Sequence, residues 1–75
     1  MTITTDTNTI VFAHSATEKE TFPKNNAILR WLGDYVYLEF PDGNKKIKLN
    51  YNSVTAPVVA SAEDLYDAIH TMLNT

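Results

Sequence analysis

Two alternating runs, Tyr35-Val36-Tyr37-Leu38-Glu39-Phe40 and Lys45-Lys46-Ile47-Lys48-Leu49-Asn50-Tyr51, flank Pro41-Asp42-Gly43-Asn44. Asp-Gly between alternating runs is the strongest short-range hairpin signal in a sequence. With Asp42 and Gly43 as the two turn residues, Leu38 pairs with Ile47, Val36 with Leu49 and Glu39 with Lys46. Apolar side chains then meet on one face and opposite charges on the other. A slip of one residue sets Leu38 against Lys48, so that register is disfavoured.

The remaining elements follow from weaker signals. Residues 1–9 hold five threonines, Thr2, Thr4, Thr5, Thr7 and Thr9, and little to bury. This segment reads as a frayed terminus, or as an extended N-terminal arm that adds a strand to a neighbouring subunit. Ile10 to Ala13 is a short apolar strand, and polar Ser15 to Lys24 reads as a loop with room for one helical turn at Ala16 to Thr21. Ala27 to Leu32 is apolar on both alternating faces except at Arg30, which predicts a central strand or one covered on both sides. A helix over residues 23–32 competes, because Pro23 suits a first helical position. The turn signal Gly33-Asp34 favours the strand, joined to Tyr35–Phe40 as a second hairpin.

Beyond the main hairpin, Asn52 to Ala60 is a loop containing Pro57. Its valines, Val54, Val58 and Val59, either seal the sheet edge beneath a helix or form an exposed patch for another chain. Ser61 is an N-cap followed by Glu63 and Asp64, whose carboxylates favour the helix dipole. Asp64 completes a capping-box pattern, and Leu65, Ala68, Ile69, Met72 and Leu73 form one apolar stripe. The expected fold is α+β: a small antiparallel meander of three to four strands with one C-terminal helix packed on a face, as one domain over 1–75.

Size then narrows the function. A chain of 75 residues buries only about 60% of the surface its unfolded form exposes. Small scaffolds add a disulfide, a metal or a partner subunit. The absence of cysteine removes disulfides and cysteine-based zinc sites. His14 and His70 have no carboxylate cluster suited to completing a metal site, so no metal or cofactor is expected and self-association is left. No basic segment leads into an apolar run, and apolar stretches are only a few residues long. No signal peptide and no membrane partner are expected, which places the protein in the cytoplasm or in something assembled there.

No catalytic constellation emerges. Gly-x-Ser-x-Gly and cysteine nucleophiles are absent, and Gly33 and Gly43 alone make no phosphate loop. Glu63, Asp64 and Asp67 share one helical turn rather than facing each other across a cleft. The chain reads as no enzyme, with His14 and His70 at the surface and Trp31 in the core.

The informative surface is the hairpin's outward face, where Tyr35, Tyr37 and Glu39 stand beside Lys46 and Lys48. Lysines and tyrosines there suit a solvated face, a protein contact, or a platform for single-stranded nucleic acid. A formal charge of −3 counts against nucleic acid without excluding a local basic patch. Candidate contact residues are Thr4, Thr5, Thr7, Thr9, Tyr35, Tyr37, Lys46, Lys48, Val58 and Val59.

The layout resembles small phage-encoded virion or assembly-associated proteins, in which a short β-meander leads through a Thr-(Ala/Ser)-Pro loop into an acidic, N-capped C-terminal helix. The residues are Lys46 to Tyr51, Val54-Thr55-Ala56-Pro57 and Ser61-Ala62-Glu63-Asp64-Leu65. The resemblance covers only the C-terminal part and brings no site residues with it. It implies a structural role, with a virion as the destination and other virion proteins as partners. The expected function is thus a non-enzymatic, self-associating interaction module. The alternative is a small nucleic-acid-associated regulator using Tyr35, Tyr37, Lys46 and Lys48.

Overall fold

Six strands run through the described residues: β1 (Thr2–Thr5), β2 (Thr9–Ala13), β3 (Lys19–Pro23), β4 (Ile28–Leu32), β5 (Tyr35–Phe40) and β6 (Lys45–Asn50). In the computed structural model, which describes residues 1–74, they form two three-stranded antiparallel sheets, β1-β2-β3 and β4-β5-β6. A single helix, α1 (Ala62–Leu73), follows. The α+β fold with an antiparallel meander and a C-terminal helix is as expected, and the meander occurs twice.

The β5–β6 ladder has the register that its side chains dictate, with Val36 opposite Leu49, Leu38 opposite Ile47 and Glu39 opposite Lys46. Its turn is not the tight Asp42-Gly43 reversal. Pairing ends at Phe40 with Lys45, and Pro41–Gly43 form a 3₁₀ turn closed by Asn44 at φ 51°. Proline's fixed φ starts this turn, and asparagine tolerates the left-handed conformation that ends it. Residues 23–32 are not a helix, since β4 pairs with β5 through a two-residue turn in which Gly33 adopts φ +61°. Nor is β4 central: it is an edge strand, with Ile28 44% and Leu32 64% exposed.

The N-terminal third departs furthest from expectation. Ser15 to Lys24 is not all loop, because β3 pairs along β2 and places Phe22 opposite Ile10. The threonine-rich start is neither frayed nor a free arm. β1 pairs with β2 in the same chain, and Ile3 is buried. Its other edge is occupied as well. The Ile3 amide donates to the Ala56 carbonyl at 2.8 Å, the Thr55 amide to Met1 O at 2.8 Å, and the N-terminal amine to Ser53 O at 2.9 Å. At the β1–β2 turn, Asp6 Oδ1 accepts from the Asn8 amide (3.1 Å), the Thr9 amide (2.9 Å) and the Thr9 hydroxyl (2.8 Å).

Three phenylalanines fasten the sheets together. Phe22 from β3 stacks on Phe40 from β5, with ring centroids 4.6 Å apart and planes 11° apart. Phe12 from β2 leans on both, at 6.0 and 6.2 Å. Helix α1 closes the core with Leu65 and Ile69, both fully buried. Ser61 Oγ caps it by accepting from the Asp64 amide at 3.1 Å. The Asp64 carboxylate accepts from the Ala60 amide at 3.4 Å, so the return bond reaches one residue beyond the N-cap.

Phe40→Ala is expected to cost about 3–5 kcal/mol. That is most of the stability of a domain this size, and it should appear as a large drop in the urea midpoint. The Asp6 turn has a defined pH dependence. The Thr9 hydroxyl, then the Asn8 and Thr9 amides, hold the Asp6 carboxyl below its ordinary value of 3.8. A depressed folded-state pKa makes the turn's contribution complete above that ordinary value and lost as pH falls through the folded one. Protection of the Thr9 amide from hydrogen exchange should therefore fall in acid, and Asp6→Asn should flatten the profile.

Candidate interaction face

Period-two alternation in a strand sends Val36, Leu38 and Phe40 inward and leaves Tyr35, Tyr37 and Glu39 on the other face. The register extends this face across all three strands. Arg30, Tyr37 and Lys48 form one row, Leu32, Tyr35 and Asn50 a second, and Ile28, Glu39 and Lys46 a third. The sequence-predicted group Tyr35, Tyr37, Lys46 and Lys48 is thus brought together.

Its geometry is ordered by charge. Lys48 Nζ lies over the Tyr35 ring, 4.2 Å from the centroid, and 5.9 Å from that of Tyr37. The two tyrosine rings are 6.5 Å apart and inclined at 45°. The Arg30 guanidinium pairs with the Glu39 carboxylate, which also faces Lys46 across the ladder. Three cations against one carboxylate make the face positive on a chain of formal charge −3. Between them lies an open groove of about 400 Å³, with Leu32 and Tyr37 as its apolar side chains and Arg30, Glu39, Lys46 and Lys48 around them.

The other candidate residues lie elsewhere. Thr4 and Thr5 are in β1, Thr7 is in the β1–β2 turn, and Thr9 is hydrogen-bonded to Asp6. The valines separate: Val54 is buried, Val59 packs partly against the core, and Val58 is 93% exposed. Ile28, Arg30 and Leu32 belong to the face but were not anticipated, because β4 reads as a strand covered on both sides. The lone charge at Arg30 was the available signal, since it marks the even-numbered positions as the wet side.

Trp31 is not a core residue. It lies on the helix side of the β4 edge, 43% exposed, with Nε1 donating to Gly33 O at 2.9 Å. Its ring is 6.4 Å from that of Tyr66, which in turn stacks near His70 at 6.2 Å. His14 is in a separate surface pair, its Nε2 3.0 Å from Glu20 Oε1. Among the described residues no three His, Asp or Glu side chains converge as a metal would require. No helix among them is long and apolar enough to cross a membrane.

Ion pairs with this much exposure contribute little to folding, so Glu39→Ala should lower unfolding free energy by less than about 1 kcal/mol. Thermal melts at low and high salt measure this. The charges therefore order the face more than they hold the fold. Set against protein-family models, curated proteins and solved structures, the chain matches none.

Proposed function

We propose that this protein is a non-enzymatic interaction module that self-associates through the outer face of β4-β5-β6, as a component of a larger assembly such as a phage particle. One observation supports this reading above the rest. Of the five large hydrophobic residues left exposed among the described residues, Ile28, Leu32 and Tyr35 stand on this face and Trp31 borders it. Apolar surface in water costs about 25 cal/mol per Å² relative to burial. Exposed apolar side chains gathered on one face among polar groups are a usual signature of a contact surface. Tyrosine and arginine within it fit the composition of interface cores.

The second reading, a nucleic-acid-associated regulator, draws on the same Tyr35, Tyr37, Lys46 and Lys48. It needs open ring faces for bases to stack on. Lys48 covers Tyr35, and Arg30 is already paired with Glu39. The geometry thus favours a protein partner.

Light scattering or native mass spectrometry should give a multiple of the 75-residue protomer's mass, and Leu32→Asp should return it to one. A wild-type protomer that stays single at high micromolar concentration sinks the self-association reading. Salt-sensitive binding to a single-stranded oligonucleotide, lost in Lys46→Glu with Lys48→Glu, would support the second reading instead.

A further inference from the structure

We infer that the partner seated on this face is the helix side of a second copy, so that protomers join head to tail. The inference rests on the self-association reading and specifies its geometry. Charge is sorted between two sides of the fold. Lys46 and Lys48 rim the groove beside the Arg30–Glu39 pair, while α1 carries Glu63, Asp64 and Asp67 and has no lysine or arginine.

Glu63 and Asp67 are exposed and four residues apart, so they project from one flank of the helix. Neither takes part in the ion pairs formed among the described residues. An apolar knob precedes the helix. Val58, 93% exposed, sits in the loop that the Ala60–Asp64 hydrogen bond ties to the first helical turn. A protruding valine in the loop that leads into an acidic helix complements a groove with apolar walls and a mainly cationic rim. The groove's volume of about 400 Å³ leaves room for that side chain and the backbone bearing it.

The two surfaces cannot meet within one protomer. Adjacent strand residues point to opposite faces, and Trp31 meets α1 through Tyr66 while Arg30 faces the groove. The acidic helix flank and the basic groove are therefore on opposite sides of the β4-β5-β6 sheet. A contact between unlike surfaces is heterologous, and it propagates into a ring or a filament.

Charge reversal tests this. One variant combines Lys46→Glu and Lys48→Glu, the other Glu63→Lys and Asp67→Lys, each checked for folding by circular dichroism. Each alone sets like charges against each other and should weaken self-association by about a hundredfold or more. Mixed in equal amounts, the two variants can alternate so that opposite charges meet at each contact, and they should associate again. Val58→Lys, which removes the apolar knob and sets a further cation against the groove's lysines, should weaken association of otherwise wild-type protein by about tenfold or more.

If wild type assembles and the helix variant alone assembles equally well, the head-to-tail contact is overturned while self-association stands. Two folded variants that remain single on mixing overturn it too. A single wild-type protomer removes both readings.

Discussion

The structure depends on the stacking of Phe22 against Phe40, with Phe12 leaning on both. The two sheets share no strand pairing, so these rings join what backbone hydrogen bonds do not. A small meander needs a partner surface for its hydrophobic face. Each sheet supplies that surface to the other, and Leu65 and Ile69 of α1 cover what is left. Once the rings choose the inner face of β5, strand alternation forces Tyr35, Tyr37 and Glu39 outward. The candidate interaction face is thus a consequence of how the core closes.

The elements legible in the sequence are those whose pattern is local. The β5–β6 register follows from alternating residues of matched size and charge, and α1 from its cap and its apolar stripe. What was illegible depends on contacts across the chain. β1 holds its place partly through bonds from Met1 and Ile3 to Ser53, Thr55 and Ala56, more than fifty residues away. No threonine pattern announces such partners. β3 is a strand because β2 offers an edge, although its own residues, Lys19 to Pro23, read as polar loop. The 3₁₀ turn at Pro41–Gly43 shows a local signal overruled by a local neighbour: proline before Asp-Gly winds the chain differently while leaving the register intact.

The candidate site was legible in part for the same reason. Tyr35, Tyr37, Lys46 and Lys48 are set by the hairpin alone, whereas Ile28, Arg30 and Leu32 join them only because β4 is an edge strand with one wet face. An apolar run cannot say which of its faces will be covered, since that depends on how much protein remains to cover it. Here α1 spans only Ala62–Leu73 and lies on the opposite side of the sheet. Among the described residues no further element covers the outer face.

Distance decides how the charge separation acts. At physiological ionic strength, exposed charges are screened over about 8 Å. The molecule measures 28 × 27 × 21 Å, so the cations of the groove and the carboxylates of α1 scarcely sense each other across one protomer. Sorting them to opposite sides therefore adds little to folding, in keeping with how exposed these groups are. The proposed contact between copies would change this, because it would remove the intervening water and bring unlike charges within a few ångströms. A charge pattern that does almost nothing inside the protomer would become strong where protomers touch, and in the proposed assembly it would favour the head-to-tail arrangement over a two-fold pairing of identical basic faces.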